Sequence, residues 1–164
     1  MDNLRIEEWQ SDHPHWAEVA ALIEALEQTD WVGFRAEWHL SSHLLVANTP
    51  TQIVGFLRYV VQEMGVEQDL PPFKLNDRVL TEGKVIAFGV APDARRQGIG
   101  RALQAQLIQD CRGKNCYQIR SHSGEQNRAN HQLKLAMGFA IHSLSGDQGQ
   151  DGAFFLLPLG LCAQ

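Results

Sequence analysis

Apolar residues fall along this chain in blocks, and their spacing changes from block to block. "LRIEEW" (Leu4 to Trp9) reads as a short first strand. Trp16, Val19, Ala20, Ile23 and Leu26 then recur at helical spacing, which predicts a helix from about Pro14 to Gln28. Proline suits the first turn there, with Asp12 or His13 as the cap. A second short helix is expected near Phe34 to Leu40. His43 to Asn48 and Gln52 to Gln62 are rich in β-branched and aromatic residues and flank the turn "TPTQ", so they form a strand hairpin. "KVIAFGV" (Lys84 to Val90) lacks alternation, as a strand buried on both faces would.

Downstream, Ile99, Leu103 and Leu107 step by four residues, with Ile108 and Cys111 beside them, which predicts a helix. Cys116 to His122 reads as a strand. A helix over about Asn127 to Met137 stops at Gly138, a favoured place for glycine. "FAIHS" and "AFFLLPL" close the chain as two strands joined by the glycine-rich "SGDQGQDG". Between the hairpin and "KVIAFGV", Glu63 to Gly83 reads as a loop or lid by its prolines and polarity. This order predicts an α/β architecture, one mixed sheet with helices, in a single domain over residues 1–164.

Composition narrows the class. With 44% hydrophobic residues the chain is globular rather than disordered. No stretch approaches the roughly 18 consecutive apolar residues of a membrane span. "MDNLRIEEWQ" lacks the charged-then-apolar order of a signal peptide. Cys111, Cys116 and Cys162 form no C-x-x-C, so reduced thiols in a cytoplasm are expected. A net charge of −5 argues against a nucleic-acid partner. None of the seven histidines stands at a zinc spacing, so no metal is expected. Ser121 and Ser123 lack a nucleophile-elbow context. A homodimer is compatible with all of this.

Against that acidic background, Arg95, Arg96 and Arg101 cluster around Gly98 and Gly100 at a strand–helix junction. A dinucleotide grip wants a third small residue, where this chain has Leu103, and an acidic residue ending the next strand, where it has Arg120, Ser121 and His122. A P-loop wants Gly-Lys followed by Ser or Thr, which is missing. A plain turn and another kind of phosphate grip remain. Glycines at a helix start expose unpaired N–H groups and let a ligand approach, and arginines add charge-assisted bonds.

"VAPDARRQGIGRAL" resembles the acyl-CoA signature of the GNAT N-acetyltransferase superfamily, V-x-P-x-x-R-x-x-G-x-G, through Val90, Pro92, Arg95, Gly98 and Gly100. "IVGF" (Ile53 to Phe56) is similar to that family's second hairpin strand. "NRANHQLKLAMGF" resembles its second signature through Asn127, Gly138 and Phe139. The resemblance implies a mixed sheet splayed into a V between its fourth and fifth strands, with acetyl-CoA as co-substrate. It implies that backbone groups of Phe88 and Val90 bind pantetheine and that Asn127 touches that arm. The pyrophosphate would then lie on the N–H groups of Arg96, Gln97, Gly98, Ile99, Gly100 and Arg101, with Arg95 beside them. The implied activity is transfer of an acetyl group to a primary amine of a small molecule or protein, by direct attack. The alternative on the same fold is a non-catalytic acyl-CoA sensor or interaction module.

Two features motivate that alternative. Many relatives carry a glutamate on the strand before the glycine loop, where this chain has Ile86 or Phe88. The usual tyrosine, a proton donor to the leaving thiolate, is Lys134. Lys134 is therefore the candidate acid. It shares a helix face with Asn127 and Asn130 at i, i+3 and i+7, beside an apolar face of Ala129, Leu133, Ala136 and Met137. Glu82 and His122 are the candidate bases, His122 having the better intrinsic pKa. The net acidic segment Glu63 to Glu82 either attracts a cationic amine or is a solvated loop. Trp31, Phe34 and Trp38 either line an acceptor pocket or pack into the core.

Overall fold

The computed structural model describes residues 3–143 and 152–160. The strand β1 (Arg5–Glu8) leads to α1 (Trp16–Ala25) and α2 (Thr29–Gly33), then to the long hairpin β2 (His39–Asn48) and β3 (Ile53–Glu63). A small hairpin, β4 (Lys74–Leu75) and β5 (Arg78–Val79), precedes β6 (Thr81–Val90). The remaining elements are α3 (Ile99–Gly113), β7 (Gln118–Ser123), α4 (Arg128–Ala136), β8 (Ala140–Ser143) and β9 (Ala153–Pro158). Seven strands form one mixed sheet in the order β1-β2-β3-β6-β7-β9-β8. Among the described residues only β6 and β7 run parallel; the other neighbours are antiparallel.

The predicted stripe of α3 is the spine of the core. Ile99, Leu103, Leu107 and Cys111 are buried against Leu45, Leu57, Tyr59, Val61, Val85 and Ile119 on one face of the sheet. Val19 and Ile23 of α1 cover the other face, over Leu44, Val46, Phe56 and Ala87. The hairpin is thus sandwiched, and β3 is buried nearly end to end. Cys111 and Cys116 are free, buried thiols. Among the described residues no helix is long and apolar enough to cross a membrane. Cys162 and most of "SGDQGQDG" lie outside the described residues.

Four expectations need correction. The second helix is earlier, over Thr29–Gly33, and residues 39–42 are strand, because His39, Ser41 and Ser42 pair with Gln62, Val61 and Val60 of β3. Long-range pairing overrides local propensity there. Helix α1 starts at Trp16 with His15 as its cap, while the His13 ring accepts from the His15 N–H at 3.2 Å. The segment Glu63 to Gly83 is built rather than loose: Met64 N–H bonds the Leu80 carbonyl, and Phe73 N–H the Met64 carbonyl, both at 2.9 Å. Asn76 and Asp77, at φ 50° and 62°, make the tight turn of its small hairpin. Finally, β6 is not buried on both faces. Val85 and Ala87 are buried, whereas Ile86 and Phe88 are only half-buried.

One close contact fixes the seat of α3. A Cβ on Gly83 would stand 2.3 Å from Cys111 Sγ. Gly83→Ala is expected to destabilise the protein by about 1–3 kcal/mol through overpacking. Cys111→Ala in the same chain should recover most of that loss in urea denaturation, because it removes the clashing sulfur. Additive losses in the double variant would show that the clash is relieved elsewhere.

Candidate active site

The site begins where two strands part. Strands β6 and β7 pair only from Glu82–Val85 to Gln118–Ser121. Beyond that point β6 continues to Val90 with no partner on this edge, while β7 continues beside β9 to Ser123. This is the expected splay between the fourth and fifth strands of the main sheet. A cleft of about 510 Å³ fills the opening, lined by Ile86 and Phe88 on one side and Ser121, His122 and Ser123 on the other. Trp31 and Phe34 line it from the α2 end, and Asn127 and Asn130 from α4. Trp31 and Phe34, 57% and 41% exposed, are therefore cleft residues rather than core.

The free edge has a definite polarity. Ala91 N–H bonds the Val54 carbonyl on β3 at 2.9 Å. Backbone groups alternate along a strand, so those of Phe88 and Val90 point the other way, toward the opening. The Val90 carbonyl accepts from Arg95 Nε at 3.2 Å, in keeping with that orientation.

The edge runs straight into the glycine loop. A single turn, Pro92–Ala94, is followed by Arg96 at φ 62° and Gly98 at φ 83°, both left-handed, and then by α3. Gly98 is the N-cap, with no side chain capping the helix and no acidic residue in its first turn. The first N–H groups of α3 are thus left for solvent or an anion. A Cβ on Gly98 would meet nothing within 4 Å, so the space before the helix end is open. Gly100 has a different duty: a Cβ there would stand 3.1 Å from both Leu133 and Phe88. Its smallness lets α3 pack against both walls of the V. Arg95, Arg96, Gln97 and Arg101 are exposed around this end, and Gln97 Nε2 bonds the Asp93 carbonyl at 3.2 Å.

Helix α4 buries part of its polar face and leaves part of its apolar face exposed. Asn127 caps it, accepting from Asn130 N–H at 3.3 Å. Asn130 and Lys134 are its buried residues, while Ala129 and Ala136 face outward. Asn130 Nδ2 donates to Ser123 Oγ at 3.0 Å, tying the helix to β7. Lys134 is 1% exposed, so it is no surface lysine. Among the described residues its Nζ has no hydrogen-bond partner, and it lies 4.9 Å over the Phe139 ring. Burial brings this amine down to about 7. Lys134 is not on the cleft wall; Asn130, one turn before it, is.

The two candidate bases fall in different places. His122 lines the cleft and meets the Phe154 ring edge-on at 5.2 Å. Glu82 is 3% exposed and lies outside the cleft lining. Its carboxylate accepts from Gln62 Nε2 at 3.0 Å, Gln118 Nε2 at 2.8 Å and Arg120 Nη2 at 2.8 Å. That arrangement joins β3, β6 and β7 below the point of the V. The partner sequence reasoning missed is Glu67, which lines the cleft and pairs with both Lys84 and Arg120. Burial pushes the Glu67 carboxyl up, but Lys84 and Arg120 outweigh it and hold it at about 2. The acidic segment is therefore largely neutralised where it meets the cleft, and offers no free carboxylate there. No local motif signals the cluster of Glu67, Glu82, Lys84 and Arg120, whose members the fold brings together from residues 66–68, β6 and β7. Among the described residues no group of His, Cys, Asp or Glu could hold a metal ion.

A family model described as the acetyltransferase (GNAT) family matches residues 3–139. No curated protein sequence matches the chain. Among solved structures, Arabidopsis thaliana NAA60 in complex with acetyl-CoA superposes with a TM-score of 0.71 at 16% identity, covering 96% of this chain and 99% of that one. The ribosomal-protein-S18-alanine N-acetyltransferase of Escherichia coli gives 0.64 at 17% identity, covering 98% and 97%. An acetyltransferase from Streptococcus agalactiae gives 0.65 at 17%, covering 97% and 100%. At these identities the structures speak for the fold.

Proposed function

The chain belongs to the GNAT family of acetyltransferases, and from that premise we propose that it transfers an acetyl group from acetyl-CoA to a primary amine. The observation that carries the reading is the continuous path from the unpaired edge of β6 to the uncapped, glycine-fronted start of α3. Acetyl-CoA would find there the acceptors and donors its two polar segments need. Phe88 and Val90 would hold the pantetheine amides as an added strand would. The N–H groups from Arg96 to Arg101 would hold the pyrophosphate, with Arg95, Arg96 and Arg101 adding charge. Asn127 stands at the cleft wall between them.

When bound, acetyl-CoA supplies the thioester-activated acetyl group. The chain's own groups do the rest. N–H groups on the free edge of β6 donate toward negative charge that develops beside it. His122, on the facing strand, is the proposed base that accepts the amine proton. Trp31 and Phe34 form the apolar wall by which the acceptor enters. NAA60 and the S18-alanine enzyme are by name N-acetyltransferases, in keeping with an amine acceptor.

Release of free thiol from acetyl-CoA across a panel of small amines and peptide N-termini tests the reaction. Acceleration by at least one amine is the expected result. A second reading has its own support: Glu82 is engaged away from the cleft, Glu67 is neutralised, and Lys134 is buried. Calorimetric binding of CoA with no acceleration by any amine would establish that reading, a sensor, instead.

The loop has its own test. Gly98→Ala is expected to weaken CoA binding at least tenfold, because a methyl group enters the open space before α3. It should also lower stability by about 1–2 kcal/mol, since alanine is strained at that positive φ. Calorimetry and thermal melting measure the two effects. Unchanged affinity for CoA would remove the pyrophosphate from this loop.

A further inference from the structure

A second cavity, of about 530 Å³, lies across α2 from the transfer cleft. Trp31 lines the cleft, whereas Thr29, Val32 and Gly33 line this cavity. Its charged lining is Arg35 and Arg58, and no Asp or Glu is part of it. Arg58 is 1% exposed. It donates from Nη1 to the Trp31 carbonyl at 2.9 Å and from Nη2 to Ser42 Oγ at 3.0 Å, which uses two of a guanidinium's five donors. Arg35 bonds only the carbonyls of Val32 and Phe34, at 3.0 and 2.9 Å. Among the described residues neither arginine forms an ion pair.

Such a pairing is unusual in cost. A buried charge normally finds an opposite one. This chain carries a net charge of −5, so carboxylates are plentiful, yet none is placed here. Burial, and then the charge of Arg35, bring the Arg58 guanidinium down to about 10. Trp9 lies on the same wall: it is 5% exposed, and its Nε1 is buried without an acceptor among the described residues. The buried Arg58 guanidinium thus has no negatively charged partner among the described residues, and the exposed Arg35 adds a second cation beside it.

We propose that this cavity binds a small organic carboxylate, held by Arg58 and Arg35, with an apolar body packed on Trp9 and Trp16. A carboxylate presents two coplanar oxygens to a guanidinium fork. It also costs less to bring beside Ile23 and Leu44, which line the cavity, than a doubly charged phosphate would. The site is separate from the acetyl-transfer cleft and does not rest on the reaction proposed above.

Phenylacetate, titrated into the full chain and followed by tryptophan fluorescence, tests the proposal through Trp9 and Trp16. Saturable binding is expected, with or without saturating CoA. Arg35→Gln and Arg58→Met should each weaken it at least tenfold, as should replacing the probe with neutral phenylacetamide. Arg35 is exposed, so its variant leaves the fold intact should Arg58→Met fail to melt cooperatively. Absence of saturation, equal binding of phenylacetamide, or full affinity in Arg35→Gln would overturn the site. Displacement by CoA would move the probe to the transfer cleft, and displacement by inorganic phosphate would overturn the carboxylate assignment.

Discussion

Lys134→Met is expected to stabilise the protein at pH 6 to 7, by roughly 3–5 kcal/mol. The reason is desolvation. The Lys134 amine is 1% exposed and without a hydrogen-bond partner, and burial takes it from the usual 10.5 to about 7. A fall of that size corresponds to up to about 5 kcal/mol of penalty on the charged form. The Phe139 ring 4.9 Å away returns part of it, about 0.5–2 kcal/mol. Methionine keeps the length and removes the charge. The sign with pH follows from proton counting. Between about pH 7 and 10.5 the unfolded chain holds the Lys134 proton and the folded one does not. Stability therefore rises with pH across that window, and the penalty is full below it. Urea denaturation at pH 6, 8 and 9.5 measures this. The variant should lie well above the parent at pH 6 and only about 1–1.5 kcal/mol above it at pH 9.5. A turnover rate that collapses in Lys134→Met, with its alkaline limb lost, would instead show that the amine donates its proton to the reacting group.

Glu82→Gln is expected to cost about 3–5 kcal/mol, the other large effect. The Glu82 carboxylate receives only donors: Gln62 Nε2, Gln118 Nε2, and Nε and Nη2 of Arg120. An amide turns an NH₂ toward some of them and leaves Arg120 half-paired in a buried place. Because the quartet staples β3, β6 and β7, the splay above it should loosen as well. A fall of less than 1 kcal/mol in urea denaturation at pH 7 would contradict this. The neighbouring Glu67, which shares Arg120 with Glu82, shapes acid stability. Glu67 sits at about 2 in the fold against 4.5 ordinarily. A depressed carboxylate contributes stability that is fully present above its unfolded value and lost as pH falls through its folded value. The parent should therefore lose up to about 3 kcal/mol between pH 5 and pH 2. Glu67→Gln should flatten that decline.

These two effects bear on how far the chain could be read without its fold. The stripe Ile99, Leu103, Leu107 and Cys111 was plain, because helical spacing is a local property and the helix lies on the sheet as its stripe requires. The glycine loop was equally plain, and Gly98 proved to be open and left-handed as a ligand grip needs. In helix α4 the shared face of Asn127, Asn130 and Lys134 follows from spacing, but not its burial: the sheet draws in Asn130, bonded to Ser123, with Lys134 behind it, and leaves Ala129 and Ala136 exposed. Nor could the segment from Glu63 to Gly83 be seen as built, since Met64, Phe73 and Leu80 hold it through backbone bonds that no side-chain pattern encodes.

The sequence by itself determined the order of the main elements, the core stripe of α3 and the glycine-fronted start of that helix, because each depends on residues within one or two helical turns. The tertiary structure alone decided that Lys134 is sealed away from the cleft, that Glu67 is neutralised by Lys84 and Arg120, and that Arg58 is buried without a counter-ion among the described residues. Those outcomes depend on distance through space. Burial and charge act across the sheet between residues far apart in the chain, and spacing along it carries no record of them.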